Sequence, residues 1–298
     1  MRRTAALLLV LACAACGGDP SSPVSSAASS GTPASSGSST SSSAPPLRTG
    51  PPVPPVDGIA AEAVENRTDR AAGGQVQVQV ADIGEEPFSV TSVAIDSPGF
   101  APLPAVPVTA SFVPGRRIDL PTPYGEPVCD TAAEPAAARL GVVRPGGAAE
   151  ELRVPLAAEV LAGIHARLCA AGSVREIVDV VVADLVPDGD VLTGRLLLTR
   201  TGSGDVPVTA VRVEGNVLYT AEAELPLELA AGESGGEAAL TMGTARCDPH
   251  ALAETKQPYL MPLVVTVDGG EEVPLDLPLD EAQRGQLRDL TDRVCTPG

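Results

Sequence analysis

Tryptophan is absent from this sequence, and phenylalanine and tyrosine contribute three residues each. Surfaces that hold sugars or nucleobases rely on aromatic platforms, so no such site is expected. The core must instead be filled by Val, Leu, Ile and Ala. Positive charge is also short: 38 acidic residues face 20 basic ones, for a formal charge of −18. The first 56 residues hold three Arg and one Asp, which leaves 17 basic and 37 acidic groups beyond them, a balance of −20. Nucleic acid and anionic lipid surfaces both require cationic partners, so neither is expected here. No apolar run is long enough for a permanent membrane span. The sequence has no phosphate loop, no closely spaced C-x-x-C pairs and no recognisable general acid–base pair, and no cofactor is expected.

What is present first is a leader. Met1-Arg-Arg-Thr-Ala-Ala-Leu-Leu-Leu-Val-Leu-Ala-Cys-Ala-Ala-Cys16 places two arginines before a short apolar core, Ala5 to Ala12, and ends on a cysteine. That is the layout of a bacterial lipoprotein signal. The implied chemistry is cleavage before the cysteine and diacylglycerol transfer to its thiol. Cys16 is the favoured acceptor, because cleavage at the alternative, Cys13, leaves a shorter apolar core. The mature protein is then expected on the outer face of the cytoplasmic membrane, held through its lipid. Residues 17–56 contain 13 Ser and 9 Pro in 40 positions. Such a segment buries too little apolar surface to offset its ordering entropy, so a disordered tether is expected. A flexible chain of that length reaches about 35 Å.

Beyond the tether one unit is written twice. Gly74-Gln-Val-Gln-Val-Gln-Val aligns with Gly194-Arg-Leu-Leu-Leu-Thr-Arg, and Val90-Thr-Ser-Val-Ala-Ile-Asp with Val208-Thr-Ala-Val-Arg-Val-Glu. From Val90 to Cys129 the partner lies 118 positions later, so Tyr124-Gly125 meets Met242-Gly243 and Cys129 meets Cys247. The separation grows to 123 at Leu152 and Leu275, and to 126 at Cys169 and Cys295. Insertions in loops produce such steps. The expected divisions are a signal peptide over 1–15, a lipidated cysteine and linker over 16–57, and two repeats over 58–173 and 174–298.

Each repeat reads as an immunoglobulin-like β-sandwich. Val76, Val78 and Val80 alternate with glutamines, and Val208, Val211 and Val213 recur among polar residues, as half-buried strands do. Turn signals include Pro114-Gly115, Gly146-Gly147, Asp188-Gly189, Gly235-Gly236 and Gly269-Gly270. Six or seven short strands in about 110 residues is the size of an immunoglobulin-like sandwich. Helical period comes only at the end of each repeat, along Val160, Leu161, Ile164 and Leu168, and along Leu287, Leu290 and Val294. Asp280 and Gln283 form a capping-box pattern for the second helix.

Four cysteines remain beyond the leader, two per repeat, and four cysteines allow three pairings. The duplication selects Cys129 with Cys169 and Cys247 with Cys295, each tying the start of a late strand to the terminal helix. Tyr124-Gly-Glu-Pro-Val-Cys-Asp130, His165-Ala-Arg-Leu-Cys-Ala170 and Arg246-Cys-Asp-Pro-His-Ala-Leu-Ala-Glu-Thr-Lys256 resemble segments of an actinobacterial family of exported proteins. Nineteen of the 20 basic residues are Arg, a usage that also resembles GC-rich actinobacterial coding. The resemblance implies two-domain, disulfide-linked surface lipoproteins and supplies no activity to transfer.

Two patterns carry candidate chemistry. Gly232-Glu-Ser-Gly-Gly236 matches the nucleophile elbow, which needs a strand before the serine and a helix after it. Its flanks, Leu225-Pro-Leu-Glu-Leu and Glu237-Ala-Ala-Leu-Thr, read instead as a hairpin. Cys247-Asp-Pro-His250 offers His250 as a metal ligand with His165 as a distant partner, but a bridged cysteine is no thiolate ligand. Asp248 reads more naturally as the N-cap of a short helix. Arg167 and Arg293 recur just before each bridge, as a charged helix face explains. No catalytic or metal residue is assigned. The expected role is non-enzymatic binding or structure in the cell envelope, with a protein or envelope component as partner. The alternative is an exported hydrolase or metal-binding protein using Ser234, Asp248 or His250.

Overall fold

The computed structural model describes residues 51–157, 159–202 and 205–295. Cys13, Cys16 and the tether up to residue 50 lie outside the described residues. The protein is mainly β. In the first half β1 (Ile59–Val64), β2 (Gln75–Asp82), β3 (Phe88–Asp96), β4 (Val106–Phe112), β5 (Arg117–Pro123), β6 (Ala137–Val143) and β7 (Ala149–Ala157) form one sheet in the order β4-β3-β6-β7-β1-β2-β5. Every pairing is antiparallel except β1 with β7, which spans only Ala61 with Leu156 and Glu62 with Ala157. Strand β5, at one end of this order, packs near β3 and β4 at the other, so the sheet curls toward closure.

The second half splits its strands between two four-stranded sheets. Here β8 (Val178–Asp188), β9 (Val191–Arg200), β11 (Tyr219–Ala223) and β13 (Gly235–Thr244) run in the order β11-β13-β9-β8. Strands β10 (Val208–Val213), β12 (Leu227–Leu229), β14 (Pro262–Val267) and β15 (Val273–Asp276) run as β12-β10-β14-β15.

Alternation of valine with glutamine in β2 does what its period requires. Val76, Val78 and Val80 are fully buried, while the glutamines point away. Two of those glutamines have work beyond solubility. Asp69 is buried, and its Oδ1 accepts from the Gln75 and Gln77 side-chain amides at 3.0 and 2.7 Å, while Oδ2 accepts from Asn66 N at 3.0 Å. A buried carboxylate is tolerable only when its lone pairs are filled in this way. The result pins a short helix, α1 (Arg67–Ala72), to β2. It departs from the expectation of helix only at the repeat ends, because six residues are too few to show a helical period.

Two other expectations are corrected. Val208, Val211 and Val213 do not follow one regular alternation, because the pairing of β10 with β14 slips between Ala210 and Arg212. Across this bulge the buried Val208 and the partly buried Val213 both pack against the second core although five residues apart, and Val211, at the slip, is only partly buried. Gly235 and Gly236 open β13 rather than forming its turn, which sits at Gly232 with a φ of 79°.

The end helices are α2 (Glu159–Arg175) and α4 (Glu281–Cys295). At α4 the capping box forms as expected: Asp280 N donates to Gln283 Oε1 at 2.9 Å, and Gln283 N to Asp280 Oδ1 at 2.8 Å. Helix α2 does more than close the first half. Leu161 and Ile164, near its start, belong to the first hydrophobic core, whereas Ala171 and Val174, near its end, belong to the second. A boundary at 173/174 therefore falls inside a helix that both cores use, and the described residues form one compact unit. Arg167 is not simply part of a charged face, since it forks onto Glu65 at 2.7 and 3.4 Å and binds α2 to the end of β1. Arg293 is exposed.

Both disulfides join the expected cysteines. Cys129 pairs with Cys169 at a Cα separation of 5.5 Å, and Cys247 with Cys295 at 5.0 Å. Cys129 and Cys247 lie in the connections β5–β6 and β13–β14 rather than at the starts of strands. His165, considered above as a remote metal partner, is buried against the first bridge. Its Nε2 lies 3.1 Å from Val128 O and 3.6 Å from Cys169 Sγ, and its ring meets Phe100 edge-on at 5.6 Å.

Gly125, one residue after Tyr124, lies against the backbone of Ala101. A Cβ there would stand 2.1 Å from the Ala101 carbonyl oxygen. Backbone cannot yield as a side-chain tip can. Gly125→Ala is expected to lower the melting temperature by roughly 5–10 °C, while Gly163→Ala, where a Cβ meets nothing, is expected to leave it unchanged or raise it slightly. Thermal melts of the two variants compare them directly.

Candidate ligand-binding groove

The connection from β13 to β14, residues 245–261, is longer than its counterpart from β5 to β6, residues 124–136. It folds into a short helix, α3 (Pro249–Glu254), flanked by two clefts. Asp248 starts this helix as the sequence predicts. Its Oδ1 accepts from Ala251 N at 3.0 Å, Pro249 occupies the first helical turn, and Arg246 Nε donates to Oδ2 at 2.8 Å. The Ala251 bond and then Arg246 hold the Asp248 carboxyl below the ordinary carboxylate range. Thr255 closes the helix, its hydroxyl donating to Ala251 O at 2.5 Å.

Asn216 then fixes the segment that follows. Its Nδ2 donates to Pro258 O at 2.7 Å, and its Oδ1 accepts from the backbone N–H groups of Leu218 and Tyr219, each at 2.9 Å. One side chain thus joins the 216–219 turn to the far wall of the groove. Beneath them Tyr219 is buried, donates its hydroxyl to Leu287 O at 3.1 Å and accepts from Thr291 Oγ1 at 3.0 Å. Burial pushes its phenol pKa up. Tyr259 stacks on it at 6.3 Å, with Arg284 5.6 Å from the Tyr259 ring centre and Arg288 donating to the Tyr259 hydroxyl at 3.3 Å. The scarce aromatics of the second half are therefore concentrated at this groove.

One cleft, of about 370 Å³, is walled by Leu218, Leu252, Pro258 and Tyr259 together with Arg288, Thr291 and Asp292. The other, of about 500 Å³, is bordered by Arg67, Arg246, His250 and Lys256, with Val217 and Leu260. Thr255 lies in both walls. Arg67 comes from α1, in the first half, and its carbonyl accepts from Gln257 Nε2 at 3.0 Å.

The other sequence candidates are not assembled. Ser234 precedes the first residue of β13, and Asp248 and His250 follow its last, so a ten-residue strand separates them by roughly 30 Å. The serine is exposed in the connection from β12 to β13, which joins strands of two different sheets rather than the two arms of the expected hairpin, and no helix follows it as a nucleophile elbow requires. Asp248 and His250 sit together at α3, with Cys247 in its disulfide. Among the described residues no group of three or more His, Cys, Asp or Glu side chains has an arrangement able to hold a metal ion. Sequence reasoning missed Arg67 and Asn216. Arg67 carries no local signal, whereas Asn216 follows Gly215, a turn pattern open to reading.

Asp248 gives a direct test of the α3 cap. Its lowered pKa means the cap contributes fully above the ordinary carboxylate range and is lost only as pH falls through the lowered value. Asp248→Ala is expected to speed amide exchange at Ala251 at neutral pH, and the unmutated protein should show the same loss only in strong acid. Exchange measured by NMR at both pH values checks this.

Neither a family model nor a curated protein sequence matches this chain. Three solved structures are weakly similar. A YadV chaperone shares 13% identity over 74% of this chain and 100% of its own, with a TM-score of 0.22. A red sea bream transglutaminase shares 10% over 76% of this chain and 32% of its own, with a TM-score of 0.23. A protein of unknown function from Porphyromonas gingivalis W83 shares 14% over 74% and 98%, with a TM-score of 0.21. Likeness at these scores carries nothing about fold or role.

Proposed function

We propose that this protein is a lipoprotein tethered through Cys16, with Cys13 as the alternative acceptor, to the outer face of the cytoplasmic membrane, where it binds an envelope component without catalysing a reaction. In this reading residues 58–298 are two immunoglobulin-like sandwiches derived by duplication, within the actinobacterial lipoprotein group that the sequence resembles. The order of pairing supports it. Strand β3 lies between β4 and β6 as β10 lies between β12 and β14, and β2 lies between β1 and β5 as β9 lies between β8 and β13. Third, sixth and seventh strands are neighbours in the first half, as are first, second and fifth, which is compatible with the immunoglobulin division except that the fourth strand pairs with the third rather than the fifth. Two disulfides are consistent with an extracytoplasmic location, and among the described residues no helix is long and apolar enough to cross a membrane.

The observation that carries the binding role is the groove around α3. It is built on a connection longer than its counterpart in the first half, and long connections on a rigid scaffold commonly carry function. Two measurements test the reading. Mass spectrometry of the mature N-terminus is expected to find Cys16 bearing diacylglycerol, and an unmodified Cys16 and Cys13 would overturn the anchor. A photocrosslinking side chain at Lys256, in intact cells, is expected to capture an envelope component that the same group at exposed Ile83 does not. Equal capture from both positions would remove the groove from the reading.

A further inference from the structure

The groove reverses the sign of the molecule around it. Residues 57–298 hold 37 acidic groups against 17 basic ones, so a cation placed at random on this surface finds a carboxylate nearby. Most do. Arg117, Arg144, Arg153, Arg195, Arg212 and Arg288 all pair with Asp or Glu. At the 500 Å³ cleft the pattern stops: Arg67, Arg246 and Lys256 border it, and among the described side chains no carboxylate lies in its wall. Among the described residues neither Arg67 nor Lys256 makes an ion pair. Arg246 is held from behind by Asp248, which is itself fixed as the α3 cap.

Apolar surface is exposed at the same place. Val217 is 53% exposed on the wall of the cationic cleft and Leu252 39% exposed on the wall of the other. Tyr259 presents an edge of a ring already immobilised by its stack on Tyr219. Both clefts have the size of small-molecule sites. Thr255 lines both, so a ligand that crosses it can place a charged end in one and an apolar end in the other.

We propose that the groove binds a small amphiphilic anion, its phosphate or carboxylate between Arg67, Arg246 and Lys256 and its apolar part across Thr255 against Leu252 and Tyr259. This rests on the binding role proposed above and names the ligand's chemistry. Electrostatic attraction supplies the specificity for charge, and burial of the apolar part supplies most of the affinity.

Titration calorimetry of the folded protein with octyl phosphate, octanoate, inorganic phosphate and octyl glucoside tests the assignment. Octyl phosphate is expected to bind at least about tenfold more tightly than inorganic phosphate and than neutral octyl glucoside. Octanoate separates a carboxylate source from a phosphate source, and saturable binding of either supports the proposal. Arg67→Gln with Lys256→Gln is expected to weaken the anion about tenfold or more without moving the melting temperature, since among the described residues neither side chain makes an ion pair. Leu252→Ser should narrow the gap between octyl phosphate and inorganic phosphate. Equal affinity for octyl glucoside, an unchanged affinity in the double variant, or no saturable binding of either anion below about 10 mM would each overturn the proposal. If the anions fail while a crosslinker at Lys256 still captures an envelope component selectively, the ligand class falls and the binding role stands.

Discussion

Cys247→Ala with Cys295→Ala is expected to cost about 4 kcal/mol of stability, the loop-closure entropy that a bridge across 48 residues withholds from the unfolded chain. For a folded body of this size that corresponds to a fall in melting temperature of roughly 8–16 °C. Scanning calorimetry under non-reducing conditions measures it. The location of the bridge adds a second expectation. Cys247 immediately precedes Asp248, and Cys295 ends α4, so the bridge binds the start of the groove's connection to the helix that floors it. Its loss should therefore reduce binding in the groove even at temperatures where the protein remains folded. The first bridge, whose cysteines are 40 positions apart, should cost nearly as much in stability. That change should leave the groove intact. A pair of double mutants that weakened groove binding equally would contradict this division.

Phe112→Ala is expected to destabilise by about 3–5 kcal/mol, the usual range for a buried aromatic truncated to alanine. Phe112 is almost wholly buried and stacks on Phe88 at 4.8 Å with an interplanar angle of 11°. With three phenylalanines in the whole chain, the valines and alanines around this pair are too small to fill the space by rotating. The cavity should stay largely open, which places the cost toward the upper end. Phe112→Leu retains most of the volume and should recover more than half of the loss. Denaturant melts of the three proteins decide the matter, and a Phe112→Ala loss below about 1 kcal/mol would mean that the site collapses freely.

Parts of this architecture could be read directly from residues. The valines of β2, the capping box of α4, the Asp248 cap and the cysteine pairing were all local patterns or consequences of spacing. What escaped was set by tertiary structure. The bulge at Val211 changes which side of β10 faces inward, and no residue type announces it. The glutamines of β2 look like a solvent face, yet two of them close around Asp69, which the chain brings back from a six-residue helix. At the groove, Lys256 and Arg246 lie close together in the chain, but Arg67 precedes them by well over a hundred residues. Only folding shows that the three share a cleft. The nucleophile-elbow pattern failed for the complementary reason: its letters were correct, and the helix that gives them meaning was absent.

Helix α2 makes the two halves inseparable. Cleaving the chain ahead of it would strip the first core of Leu161 and Ile164 and orphan Cys129; cleaving behind it would leave the second core without Ala171 and Val174. Neither fragment would then be a whole module, so if the chain did begin as two copies of one gene segment, they can no longer be dealt out singly.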